Sequence, residues 1–226
     1  VKNIEKAYSI DPLSKDNQLL LSIFRDRKRK KYKNISNPVD IEMNKEKAFS
    51  YPVILKRSID PEIINSLYKI KALDLNKFKD PSFGNARGSD YKLFENNEKT
   101  TSKLQQDLTS ITKEFLNSNV FFRDSFFTIL GGNSTINKHN HIGSIDKLAD
   151  LCTQKYALVY YLSIGDQNCK HPGILKFYKH KNDVNPNQEI LPSEGMIVIF
   201  PADRYHSVKY EGTKDRIIVG VNFYSI

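Results

Sequence analysis

Residues 137–144 read NKHNHIGS, which sets His139 and His141 two apart in a chain with only five histidines. A third, His206, follows in FPADRYHSVKY, and Arg216 stands ten residues past it, opening RIIVGVNFY. Neutral imidazoles are metal ligands. Two of them spaced two apart on a strand point the same way and could share one ion. Alone, such a pair also describes a solvated polar turn after GGNS. The end of the chain tips the balance. Period-two alternation puts Arg216, Ile218, Gly220 and Asn222 on one face of the last segment, and Ile217, Val219, Val221 and Phe223 on the other. The second set is large and apolar. The first holds a cation, a glycine and an amide, which make a poor core face and a good pocket wall. There Gly220 leaves room, and Arg216 offers a planar fork to a carboxylate.

Such groups need a frame to hold them. From 119 to 226, short strand-like runs recur between Gly, Pro, Asn and Asp turns: VFFRDSFFTIL, KYALVYYLS, GILKFY, EIL, MIVIF, YHSVKY and RIIVGVNFY. Many short strands at this spacing predict a β-sandwich or barrel, here an antiparallel double-sheet roll. Residues 34–118 are mixed. YPVILKRS reads as a strand, and DPEIINSLYKIKAL as a helix with Asp60 as N-cap and Pro61 at the first helical position. TTSKLQQDLTSITKEFLNS reads as an amphipathic helix with Leu104, Leu108, Ile111 and Phe115 on one face. DPSFGNARGSD is expected as loop. The expected class is α+β, with the helices buttressing one face of the roll.

Five pieces occur in order: HNH, ALVYYLS, PGILKFY, EGMIVIFPADRYHSV and RIIVGVNFY. Together they resemble the Fe(II)/2-oxoglutarate-dependent oxygenases of the prolyl-hydroxylase-like group, over roughly 120–226. The resemblance implies an antiparallel double-stranded β-helix, or jelly roll. It also implies Fe(II) as cofactor, and 2-oxoglutarate and O2 as co-substrates, with release of succinate and CO2. His139 matches the proximal iron ligand and His206 the distal one. Arg216 matches the residue that pairs with the 5-carboxylate of 2-oxoglutarate. Tyr161 matches a position that touches the same carboxylate, and Asn222 one beside the metal; Tyr160 takes the inward place if the register slips by one.

His141 departs from the pattern, because the usual third ligand is Asp or Glu. Three outcomes stay open. His141 ligates, which same-face geometry favours; it points aside and leaves a coordination position free; or Asp146 supplies the carboxylate. The implied activity is hydroxylation of a protein side chain or a small molecule. The alternative is a cupin-like metal-binding module, without oxygenase activity, that serves in partner binding or sensing.

Residues 1–33 form a separate helical segment, and 34–226 the oxygenase domain, with helical support over 34–118 and the roll over 119–226. IEKAYSIDPLSKD resembles the end of a tetratricopeptide-type repeat, with a plain helix pair as the other option. The net charge is +9, but seven of the nine residues Arg25–Lys33 are basic and account for most of it. A solvated run of this kind, without interleaved aromatics near the motif, argues against nucleic acid as partner. No apolar run is long enough to span a bilayer and no signal peptide is evident. Two cysteines, Cys152 and Cys169, fit a reducing compartment, so a cytoplasmic location is expected. His171 and His180 read as surface residues.

Overall fold

The computed structural model describes residues 18–19, 21–23, 52–74, 86–96 and 98–226. The repeat-like stretch, the basic run and most of the N-terminal segment lie outside the described residues, as does much of the loop around Phe83. Of that segment, residues 18–19 and 21–23 are helical. Ile23 is fully buried in a small cluster with Leu151, Tyr224 and Ile226, so this helix packs on the main body.

Two antiparallel sheets form the frame. The first is seven-stranded, in the order β1 (Val53–Lys56), β9 (Met196–Pro201), β6 (Lys155–Ile164), β11 (Arg216–Ser225), β4 (Val120–Leu130), β3 (Arg87–Gly88) and β2 (Leu73–Asp74). The second is four-stranded: β5 (Ser134–His139), β10 (Tyr205–Tyr210), β7 (Pro172–Tyr178) and β8 (Gln188–Ile190). Each strand run read from the sequence appears. β5 was not among them, because STINKH is polar and lies at a sheet edge, where alternation is weak. Arg87–Gly88, expected as loop, forms a two-residue strand paired to Ile129 and Thr128.

β11 is buried along its whole length, because it lies mid-sheet with both faces covered. Its two faces divide as period two requires. Ile217, Val219, Val221 and Phe223 join a core with α1 (Pro61–Lys69) and α2 (Lys99–Leu116), through Ile63, Leu67, Leu104 and Leu108. Ile218 joins the other core, between the sheets, with Tyr161, Leu175, Phe177, Phe200 and Val208. Tyr160 falls in the helix-side core, so the register that turns Tyr161 inward holds.

α1 begins where the sequence places it: the Asp60 carboxylate accepts the Glu62 N–H at 3.1 Å, and Pro61 follows the cap. α2 ends at Asn117, in the left-handed conformation at φ 45°. Its buried stripe differs from the expected one. Thr101, Leu104, Leu108, Thr112 and Leu116 face the core, while Phe115 is 38% exposed. Thr112 can sit there because its hydroxyl donates to the Leu108 carbonyl at 2.6 Å. Among the described residues no helix is long and apolar enough to cross a membrane.

Candidate metal centre

His139 is the last residue of β5 and lies directly across the ladder from His206 of β10, with ring centroids 4.3 Å apart. His141 is beyond the strand end, so the two-apart spacing on one strand is not what brings it in. Its N–H instead donates to the Ala202 carbonyl at 2.8 Å, folding the segment back toward β10. Its ring centroid is 5.0 Å from those of both other histidines. One nitrogen from each ring lies within 4.8 Å of the others, and His141 Nε2 is 3.3 Å from His206 Nε2. Cis ligands on metal–nitrogen bonds of about 2.1 Å sit roughly 3.0–3.4 Å apart, so this pair already has a chelating separation.

The protonation states fit a metal. His139 Nδ1 meets the Asn137 carbonyl at 2.7 Å, and His206 Nδ1 meets the Arg204 carbonyl at 3.0 Å. A carbonyl only accepts, so in each neutral ring Nδ1 carries the proton and Nε2 presents its lone pair. Burial, and then the neighbouring His139, push His206 down to about 3. Burial lowers His141 well below the usual histidine value, helped by His206, His139 and the Lys155 charge. Burial also lowers His139, against the Asn137 carbonyl, which pulls the other way. The His206 Nε2 lone pair faces His141 Nε2 at 3.3 Å, a separation that either a shared proton or a cation can fill. The donor set therefore suits a nitrogen-binding divalent ion. Phe200 packs edge-on against His206 at 4.8 Å, and Phe177 lies 6.2 Å away, giving the ring an apolar backing.

Arg216 opens β11, points between the sheets and is 2% exposed. Its guanidinium lies 5.0 Å over the Tyr161 ring. Among the described residues no carboxylate pairs with it, and neither Arg216 Nε nor the Tyr161 hydroxyl has a well-aligned hydrogen bond. Burial lowers the Arg216 pKa and raises that of Tyr161, each partly offset by the other. A buried cation without an acid is costly, several kcal/mol by order of magnitude, and marks a place where an anion is expected. Gly173 of β7, at φ +80°, lets the arginine pass: a Cβ there would lie 2.9 Å from Arg216 Cδ and Nε.

Asn222 sits in a cross-strand row running Phe200, Ala157, Asn222, Asp124 over β9, β6, β11 and β4. Its Nδ2 donates to Asp124 Oδ2 at 3.2 Å, and its Oδ1 has no partner among the described residues. The row begins at the phenylalanine that backs His206, which puts Asn222 on the same floor as the histidines. Gly220 does not open the expected room, because Phe126 fills it: an added Cβ would meet that ring at 2.4 Å.

Asp146 is not gathered with the histidines. Its carboxylate accepts from Lys155 Nζ at 2.8 Å, the Tyr224 hydroxyl at 2.6 Å and the Gly143 N–H at 2.6 Å. His171 faces Glu211 at 3.6 Å and His180 is exposed, both away from the cluster. Cys152 and Cys169 are free thiols. Sequence reasoning missed Asp124, Phe200, Phe177 and Gly173. Only Gly173, in HPGILKF, carried a local signal, since a glycine opening a strand often marks a close approach.

No family model matches the chain, and no curated protein matches it. Solved structures do, and the fold they share with it is that of 2OG-Fe(II) oxygenases, as the sequence resemblance implies. An oxidoreductase of the 2OG-Fe(II) oxygenase family from Burkholderia pseudomallei is 13% identical with a TM-score of 0.54, over 76% of this chain and 84% of that one. The viral collagen prolyl hydroxylase of Paramecium Bursaria Chlorella virus-1, in its 2OG complex, is 16% identical with a TM-score of 0.52, over 78% and 97%. HygX from Streptomyces hygroscopicus, with nickel and 2-oxoglutarate bound, is 9% identical with a TM-score of 0.57, over 77% and 82%.

Proposed function

We propose that this protein is a non-haem Fe(II)- and 2-oxoglutarate-dependent dioxygenase that hydroxylates a protein side chain or a small molecule. The two sheets are read as a double-stranded β-helix, carried with its helices by residues 34–226. One juxtaposition supports this most. Three imidazoles converge within reach of one ion, and a buried arginine without an acid projects into the same inter-sheet core.

His139, His141 and His206 would hold the metal, and Arg216 with Tyr161 would hold the distal carboxylate of 2-oxoglutarate. Bound Fe(II) and 2-oxoglutarate supply dioxygen activation, with succinate and CO2 as by-products. The chain's own part is positioning. Arg216 and Gly173 lie at one end of β7 and Phe177 at the other, four residues or about 13 Å along a strand. The oxoacid would lie along that slot. Arg216 supplies a preformed counter-charge, and the Tyr161 hydroxyl a donor that nothing else uses. Phe177 and Phe200 give the His206 ring an apolar backing. Three neutral ligands leave the ion's double charge uncompensated by protein, which favours a dianionic co-substrate. Asn222 borders the remaining space.

The test is anaerobic addition of Fe(II) and 2-oxoglutarate, read by the visible charge-transfer band, followed by succinate release in air. His206→Ala should abolish both, and Arg216→Ala should raise the oxoacid requirement. The three-histidine set also suits a cupin-like binding module. Metal binding in which 2-oxoglutarate leaves the metal spectrum unchanged and no succinate forms would establish that reading instead.

A further inference from the structure

His141 lies outside the strands, so no ladder fixes it. What holds it is a closed chain of contacts. The His141 N–H donates to the Ala202 carbonyl at 2.8 Å, and the Ala202 N–H donates to the Lys155 carbonyl at 2.9 Å. The Lys155 ammonium reaches Asp146 at 2.8 Å, and Asp146 accepts the N–H of Gly143 at 2.6 Å, two residues from His141. Asp146 and Lys155 are 2% and 5% exposed. The Tyr224 hydroxyl takes the other carboxylate oxygen at 2.6 Å, so both oxygens are engaged. The same contact, from the N-cap Gly143 N–H to the N3 carboxylate of Asp146, sits at the start of α3 (Ser144–Leu148) and anchors the segment just past His141.

A buried ion pair is a poor means of stabilising a fold, because desolvation offsets most of its attraction. Its directional bonds nonetheless fix geometry. We propose that Asp146 and Lys155 are positioning residues of the metal centre, acting through His141 by means of this circuit. The inference rests on the metal reading above. Asp146 then serves the site without ligating: it places the imidazole that stands where a carboxylate ligand is usual.

Cobalt(II), whose visible bands report ligand number, tests this without turnover. Asp146→Asn and Lys155→Met should each weaken Co(II) binding by about ten- to a hundredfold. Each should also move the spectrum toward that of His141→Ala. The control is Asp107→Asn, which breaks the Arg57–Asp107 pair (2.6 Å) on the helix side of the sheet. It should lower the melting temperature and leave both Co(II) readouts unchanged. Should Asp146→Asn fail to fold, Lys155→Met decides, because it keeps the Gly143 and Tyr224 bonds to Asp146. Folded variants that bind Co(II) within about twofold of wild type, with its spectrum, overturn the positioning role. So does an equal affinity loss in Asp107→Asn. Wild-type protein that binds no Co(II), like His206→Ala, overturns the metal centre itself.

Discussion

Replacing Arg216 by methionine should make the metal-free protein more stable while destroying its affinity for 2-oxoglutarate. The guanidinium is 2% exposed and has no acid partner among the described residues. Burying an ion costs several kcal/mol, and a desolvated cation–π contact such as that to Tyr161 returns about 2 kcal/mol. Arg216 therefore carries a net cost of about 1–3 kcal/mol. Methionine keeps most of the stem's packing, so a gain of about 1–2 kcal/mol is expected, or roughly 2–8 °C in Tm for a chain of this size. Binding behaves oppositely. Removing one partner of a buried ion pair costs about 3–5 kcal/mol, which is about two to three and a half orders of magnitude in Kd. Calorimetric melting of the metal-free protein and anaerobic titration of the metal-loaded protein with 2-oxoglutarate read the two effects. Saturating oxoacid should raise the Tm of wild type and not that of the variant. A large drop in metal-free Tm with unchanged oxoacid affinity would show the arginine to be structural and the slot reading wrong.

Tyr161→Phe removes a buried hydroxyl whose neighbour is the Arg216 guanidinium, without a well-aligned hydrogen bond, so stability should change by no more than about 1 kcal/mol, while oxoacid affinity falls by about tenfold or more. Gly173→Ala combines a left-handed φ with a Cβ against Arg216; it should lose about 1–3 kcal/mol in denaturant melts and weaken oxoacid binding alongside. Burial alone raises the Asp146 carboxyl, but Lys155, Tyr224 and Gly143 outweigh it and hold its pKa below the usual carboxylate value. The unfolded chain then takes up this proton at higher pH than the folded one. The stability it supplies is complete above the unfolded pKa and drains away as pH falls through the carboxylate range. Melts between about pH 5 and pH 3 should show a steeper loss for wild type than for Asp146→Asn. His141→Asp should shift preference from zinc toward manganese or iron in a metal competition, since a carboxylate is the harder ligand.

Much of the frame was legible because its signals are local. The sides of β11 could be assigned from Arg216 to Phe223 because a central strand alternates two kinds of core. The inward turn of Tyr161 follows from the same register. β5 was illegible as a strand: it is a short, polar edge strand whose residues are mostly half-buried and offer no alternation. His141 was expected beside His139 by strand geometry. It arrives by a backbone bond to Ala202, a residue far away in sequence. The same holds for Asp146, whose partners Lys155 and Tyr224 meet it only in three dimensions. Gly220 misled in another way. A missing side chain shows that something comes close, and here the newcomer is the chain's own Phe126, not a guest molecule.

Ile23, far upstream of every histidine, is buried in one apolar cluster with Tyr224, whose hydroxyl donates to Asp146. Trimming the polypeptide past that isoleucine is therefore not a neutral cut. It opens that cluster to water beside the contacts of Tyr224 and Lys155 with Asp146. On the metal reading, recombinant versions begun at different points upstream of the sheets should then differ in Co(II) affinity, although His139, His141 and His206 are intact in all of them.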